Sequence, residues 1–124
     1  MEWNDIGRSS LHAARHAQQS QPRSCVSRAY YAAHSVLTQE LVGAGYVPPR
    51  NMQTPPHRDQ PELIGQYLGS RGPAAVKDLR AAFRRLYKWR LDADYNRGAT
   101  VDSQLALQAV RQAHEAFRIM QVTP

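Results

Sequence analysis

The sequence predicts an all-α fold: an antiparallel four-helix bundle with an extra short helix and a long proline-rich crossover loop. Apolar residues recur at helical spacing in several segments, and no stretch alternates apolar and polar residues for long enough to form a strand. Five of the eight prolines lie within residues 46–61, where they interrupt the helical pattern. Because 124 residues can bury one hydrophobic core, we expect a single domain over residues 1–124.

The first two helices are predicted over residues 4–18 and 22–42. The first has a loose apolar stripe that begins at Trp3 and ends at Ala17. The second has an apolar stripe formed by Val26, Ala29, Ala33, Val36 and Leu37. Gly43 follows this helix directly, and glycine often ends helices because it adopts the left-handed conformation without steric cost.

The rest of the chain is predicted to contain a loop, a short helix and two long helices. Residues 46–61 are expected to lack regular helix, because each proline removes a backbone donor and restricts φ. The short helix is predicted over residues 62–69. The two long helices are predicted over residues 73–96 and 101–121, the first of them starting at Pro73.

The composition is strongly basic, with a formal net charge of +6 and fourteen arginines against two lysines. Because the guanidinium group matches phosphate oxygens, this excess favours a polyanionic partner. The codon usage of GC-rich genomes, which favours arginine generally, explains the same excess nearly as well. Apolar runs fall short of the roughly 18 residues that a membrane span needs, the sequence predicts no secretory signal, and Cys25 is the single cysteine. We therefore expect a soluble cytoplasmic protein without a membrane partner, metal ion or cofactor.

An arginine and two adjacent tyrosines interrupt the alanine-rich second helix in the stretch SRAYYAAH, residues 27–34. At about 100° per residue, Arg28 and Tyr31 fall within a narrow sector of this helix. A solvent-exposed outer face explains such residues as well as a binding site does, so this stretch alone leaves both interpretations open.

A second arginine interrupts the apolar stripe of the first long helix. The stripe runs through Val76, Leu79, Phe83 and Leu86, and its spacing continues to Arg90 and Ala93. Burial of an unpaired guanidinium is too costly, so Arg90 should be at least half buried and bonded to Asp94 or to a polar residue of the second helix. Tyr95 adds a phenol at the same turn. An ion pair that only fixes helix register is the alternative to a binding cleft.

The two stretches are predicted to meet. If the second helix and the long helix pack antiparallel, Arg28 and Tyr31 come near Arg90, Asp94 and Tyr95. Two arginines beside one aspartate leave a surplus of positive charge, which favours an anion in the cleft.

Together, SRAYYAAH and the stretch RLDADY at residues 90–95, with His57 in the intervening loop, resemble motifs of the HEPN family of small α-helical domains. The resemblance spans roughly residues 23–97. It implies an antiparallel four-helix bundle that commonly dimerises and brings two copies of a polar motif into one cleft. Many members of this family act on RNA, often as metal-independent ribonucleases, and many are encoded with a small nucleotidyltransferase as toxin and antitoxin.

The resemblance and the residue pattern predict one site with two groups of residues. The catalytic candidates are Arg90, Tyr95 and His57, and the candidates for binding RNA or nucleotide are Arg28, Tyr31 and Asp94. In ribonucleolytic members a histidine usually follows the arginine by four to six residues, whereas Tyr95 stands in that place here. Two interpretations stay open: an RNA-binding or nucleotide-binding homodimer that acts as a ribonuclease, and a non-catalytic module that pairs with a nucleotidyltransferase or another protein.

Overall fold

The computed structural model describes residues 2–124, and over that range its regular secondary structure is entirely helical. The five α-helices are α1 (Trp3–Ala17), α2 (Pro22–Gly43), α3 (Gln60–Tyr67), α4 (Pro73–Tyr95) and α5 (Ser103–Ile119). Single 3₁₀ turns at His57–Asp59 and Gly69–Arg71 flank α3. The predicted all-α class is confirmed. In the described part of the chain, no helix combines the length and apolar character needed to cross a membrane.

Helix α2 lies at the centre of the molecule and packs against α1, α4 and α5. From Tyr30 to Thr38, every residue except Tyr31 is buried. Gly7 shows how closely α1 approaches, since a Cβ atom there would lie 2.7 Å from the Val36 side chain. The small side chains of α2 therefore allow neighbouring helices to surround it on several sides.

The buried face of α1 shares only Ala14 with the predicted stripe of Trp3, Ile6, Ala13, Ala14 and Ala17. The buried residues of this helix are Gly7, Leu11 and Ala14. Trp3 and Ala17, at the ends of the predicted stripe, are only half-buried. The reason is the close crossing with α2, which turns the glycine side of α1 inward.

The proline-rich segment is less irregular than predicted. Residues 46–56 contain no helix, but the 3₁₀ turn follows immediately and α3 starts at Gln60, earlier than the predicted residue 62. Pro61 is accommodated because it lies in the first turn of α3, where its missing N–H has no helical partner to lose.

The two motif stretches lie side by side because α2 and α4 make contact in opposite order along the chain. Arg23, in the first turn of α2, donates to the carbonyl groups of Asp92 and Ala93 near the end of α4. Tyr31, about two turns later in α2, accepts a hydrogen bond from Arg90, earlier in α4. The start of α2 thus lies beside the end of α4.

Candidate functional site

Arg90 occupies a core position of α4, with 9% of its surface exposed. The other buried residues of this helix are Leu79, Ala82, Phe83, Leu86 and Ala93. The apolar spacing of α4 therefore carries Arg90 inward, and the predicted burial is confirmed.

The guanidinium of Arg90 contacts both its own helix and α2. Its Nη2 donates to the hydroxyl groups of Tyr31 at 2.6 Å and Tyr95 at 3.3 Å. Its Nε lies 3.0 Å from Oδ2 of Asp94, but the N–H is not directed at that oxygen, so this contact is ionic without a hydrogen bond. The same carboxylate oxygen accepts from the Ser27 hydroxyl at 3.2 Å. The predicted contacts to Asp94 and to a polar residue of α2 are both confirmed.

Three phenol rings surround the guanidinium. Its central carbon lies 5.2 Å from the ring centroids of Tyr31 and Tyr95 and 5.9 Å from that of Tyr30, within the range of cation–π attraction. Tyr30 is fully buried, whereas Tyr95 is 71% exposed. We call Arg90, Tyr30, Tyr31, Asp94 and Tyr95 the Arg90 cluster. It is closed on the Tyr30 side and opens to solvent at Tyr95.

Arg90 supplies a permanent positive charge to this cluster. Burial alone lowers the pKa of the guanidinium, but the phenols of Tyr31 and Tyr95 and the carboxylate of Asp94 outweigh burial and raise this pKa above its ordinary value. The Nη1 group makes no hydrogen bond to any described residue, and it is not among the polar atoms sealed from solvent. A charged donor is therefore left open to a ligand.

Behind the cluster, a network of neutral side chains connects α2 to the start of α3. The side-chain amide of Gln60 lies 2.8 Å from the Tyr30 hydroxyl and 2.8 Å from Nδ1 of His34, and it donates to both. The Tyr30 hydroxyl also bonds to Nδ1 of His57. Because the Tyr30 oxygen accepts from Gln60, its proton is available for His57. We call Tyr30, His34, His57 and Gln60 the histidine network.

Both histidines of this network are neutral near pH 7. Burial, assisted by His57 and Arg90, lowers the pKa of His34 to about 3. Burial and then the charge of Arg90 lower the pKa of His57 below its ordinary value. Burial also raises the pKa of Tyr30, and the hydrogen bond from Gln60 only partly offsets this rise. The formal charge that acts on Tyr30, His34 and His57 is that of Arg90.

The hydrogen bonds determine what His57 can do chemically. Its Nδ1 accepts from Tyr30, so in the neutral ring the proton lies on Nε2, where it can be donated to an anion. For Nε2 to act as a base, the proton must move to Nδ1 and Tyr30 must accept from it. The geometry favours His57 as a donor to a bound anion over His57 as a general base.

The structure brings five of the six predicted site residues together. Arg90, Tyr31, Asp94 and Tyr95 are in direct contact. His57 joins them through Tyr31, with ring centroids 6.1 Å apart.

The exception is Arg28, which the structure does not bring to Arg90. Its Nε donates to Ser24 at 3.3 Å, and its carbonyl accepts from Ser10 of α1 at 2.9 Å. Three residues along a helix leave a rotation of about 60°, which turns Arg28 toward α1 while Tyr31 turns toward α4.

The residues that the sequence did not single out for the site are Tyr30, His34 and Gln60. His34 stands one turn after Tyr30 on α2, so helical spacing could have predicted that the two rings stack, with centroids 5.7 Å apart. Gln60 carried no such signal, because its position depends on the path of the proline-rich loop.

Among residues 2–124, no group of three or more His, Cys, Asp or Glu side chains is arranged to hold a metal ion. No protein-family model and no curated protein matches the chain closely enough to show a family. Function is therefore inferred from the geometry of the Arg90 cluster.

Proposed function

We propose that this protein is a HEPN-like helical domain that binds RNA or a nucleotide through the Arg90 cluster. The observation that carries the proposal is a buried guanidinium with an open Nη1 group, whose one carboxylate partner, Asp94, is shared with Ser27. A charge-assisted hydrogen bond from such a donor to a phosphate contributes about 1.5–3 kcal/mol. The exposed ring of Tyr95 offers a stacking surface beside that phosphate.

The proposal also covers the arrangement of the helices, the oligomeric state and the location in the cell. We expect an antiparallel four-helix bundle that forms a homodimer in the cytoplasm, with two copies of the Arg90 cluster facing one cleft. The opposite order of the contacts between α2 and α4 supports the antiparallel packing. A dimer contact at the mouth of the cluster would cover the ring of Tyr95, which is 71% exposed.

In its catalytic form, the protein is a metal-independent ribonuclease of a toxin–antitoxin or defence system. Arg90 would stabilise the phosphodiester while the ribose 2′-hydroxyl attacks the phosphorus, and His57 would donate a hydrogen bond through Nε2. Tyr95 is the exposed proton-carrying group nearest to Arg90, at 3.3 Å. It would take up the proton that the 2′-hydroxyl releases and give its own phenol proton to the 5′-oxygen, which leaves as the bond between phosphorus and that oxygen breaks.

One observation favours a second, non-catalytic function. The nitrogen Nδ1 of His57 is held by Tyr30, and a phenol stands where ribonucleolytic relatives usually carry a histidine, so a ready general base is lacking. The same cluster would then serve as the docking site of an interaction module that pairs with a small nucleotidyltransferase or another protein.

Binding is tested by fluorescence anisotropy with labelled single-stranded RNA, comparing the wild type with Arg90→Ala and Arg111→Ala. We expect Arg90→Ala to weaken binding by at least about tenfold, or ~1.4 kcal/mol. Arg111 is exposed on α5 and serves as the matched control, with unchanged affinity expected. Thermal unfolding of each variant separates a lost contact from a lost fold. Equal affinities of the folded variants, or no binding by the wild type, would contradict the proposal.

The same RNA, incubated with the protein in EDTA, distinguishes the two functions. Cleavage that disappears in Arg90→Ala supports the ribonuclease. Binding without cleavage supports the non-catalytic module.

A further inference from the structure

A pocket of about 430 Å³ lies beside His57, between α4 and the start of α3. Its apolar wall consists of Pro61, Phe83, Tyr87 and Leu91. The ring of His57 stacks on that of Tyr87, with centroids 5.7 Å apart and an interplanar angle of 23°. The volume lies in the range of small-molecule sites, and the wall presents an aromatic surface to a ligand.

The rim of this pocket is basic. The cations that line it are Arg58, Arg80, Arg84 and Lys88, and no carboxylate is among the lining residues. Arg58 and Lys88 each pair with one nearby carboxylate, at 3.6 and 3.1 Å, and Arg80 donates to a backbone carbonyl at the start of α3. Arg84 makes no ion pair or hydrogen bond to any described residue. The rim therefore has cationic groups available to an anion.

A larger groove of about 900 Å³, between α4 and α5, lacks this combination. Its lining includes the carboxylates of Asp78 and Glu115 and no aromatic side chain. The pocket beside His57 is thus distinguished by an aromatic wall that lies next to uncompensated positive charge.

His57 connects this pocket to the Arg90 cluster. Its ring lies 5.7 Å from that of Tyr87 in the pocket and 6.1 Å from that of Tyr31 in the cluster. Tyr87 and Arg90 are three residues apart on α4, which places them on neighbouring positions of one helical face. A ligand of modest length can therefore contact both places.

We propose that this pocket binds the base of a nucleotide whose phosphate is held by Arg84 and Lys88, next to the phosphate bound at Arg90. The inference rests on the proposed function and specifies its ligand as a nucleoside phosphate, either free or within a single strand. The ring of Tyr87 and the apolar wall stack on the base, and the basic rim follows the backbone. Because every base has a flat apolar face, this mode of binding tolerates different sequences.

The test compares two ligands of equal charge: a labelled single-stranded oligo(A) of about eight nucleotides and the same strand with abasic sugars. Stacking of one base contributes about 1–3 kcal/mol, so we expect the wild type to bind oligo(A) about tenfold more tightly. Tyr87→Leu, which removes the ring in the pocket, should lower this preference several-fold and leave only the part that stacking on the exposed Tyr95 ring supplies. Tyr87→Phe, which keeps the ring, should retain it.

The basic rim is tested by Arg84→Gln with Arg85→Gln as the matched control. Both residues are exposed on α4 and both changes remove one charge, but Arg85 lies toward Gln112 of α5 and does not line the pocket. We expect Arg84→Gln to weaken binding of both strands by about threefold or more and Arg85→Gln to have less effect. Equal losses would mean that only overall charge matters, which overturns the proposed role of the rim.

The pocket proposal is overturned if the wild type shows no preference for bases, or if Tyr87→Leu retains the full preference. Arg90→Ala separates the two proposals. Failure of the proposed function leaves Arg90→Ala with wild-type affinity while the Tyr87-dependent preference persists, whereas failure of the pocket leaves the Arg90 effect without any preference that depends on Tyr87. Displacement of oligo(A) by AMP identifies a free nucleotide as a ligand, and an intact base preference without displacement identifies the strand.

Discussion

Two arginines connect α2 with α4, and their guanidinium groups have opposite kinds of partners. The guanidinium of Arg23 donates to backbone carbonyls at the end of α4 and in the following loop, those of Asp92, Ala93, Asn96, Arg97 and Ala99. The guanidinium of Arg90 donates to the hydroxyls of Tyr31 and Tyr95 and leaves Nη1 open. Both terminal nitrogens of Arg23 are bonded to the backbone, whereas Nη1 of Arg90 is not bonded to any of residues 2–124.

The difference shows that an arginine between helices is informative about function only when its partner set is known. The last carbonyl groups of a helix have no partner within that helix, and a cation at this end also interacts favourably with the helix dipole. Arg23 satisfies both requirements and thereby holds the end of α4 in place. Arg90 satisfies no backbone group, and its Nη1 group keeps a donor for the anion proposed above.

The largest expected effect is on stability, from Arg23→Met. Loss of several charge-assisted hydrogen bonds should lower the free energy of unfolding by about 2–4 kcal/mol. Urea denaturation measures this change, with Arg97→Met, at an exposed loop position, as a control expected to change stability by less than about 0.5 kcal/mol. RNA affinity of the folded Arg23→Met protein should stay within about threefold of the wild type. A tenfold loss of RNA affinity with unchanged stability would show that Arg23 contributes to binding and not to the fold.

Acidification should lower the free energy of unfolding through His34 of the histidine network. The pKa of His34 falls from 6.5 to about 3 on folding, so below about pH 6.5 the unfolded chain binds a proton that the folded protein does not. The contribution of His34 to the free energy of unfolding is fully present above about pH 6.5 and declines as pH falls toward 3. Between about pH 7 and pH 5, His34 accounts for a loss of about 2 kcal/mol.

Denaturation at several pH values tests this assignment with His34→Gln, whose amide oxygen can still accept from Gln60. This variant should show a smaller dependence of stability on pH, whereas Arg23→Met should keep the wild-type dependence. An unchanged pH dependence in His34→Gln would place the titrating group elsewhere.

The smallest expected effect is that of Arg90→Met on stability. Loss of one member of a fully buried ion pair is costly, but Asp94 is exposed and keeps its hydrogen bond from Ser27, so the free energy of unfolding should change by less than about 1 kcal/mol. Denaturation and RNA binding are measured on the same preparation. A large loss of stability would show that Arg90, like Arg23, serves the fold.

Much of the helical architecture follows from local sequence. The apolar spacing of α4 predicted that Arg90 is buried, because a 3.6-residue period carries every such position to the same side. Pro73 predicted where α4 begins, and Gly43 predicted the end of α2 to within one residue, since the helix includes Gly43. The start of α3 was predicted too late, because Pro61 was treated as part of a loop although the first turn of a helix accepts proline.

By itself, the sequence determined the all-helical class and the contacts of Arg90 within its own helix. These depend on interactions between neighbours or on one helical period. Only the tertiary structure decided that Arg28 turns toward α1, that Gln60 joins Tyr30 to His34, and that His57 lies between the Arg90 cluster and a basic pocket. The rotation of α2 among its neighbours and the path of residues 46–56 set these contacts. Both are fixed by packing between segments distant in sequence, which local periodicity cannot specify.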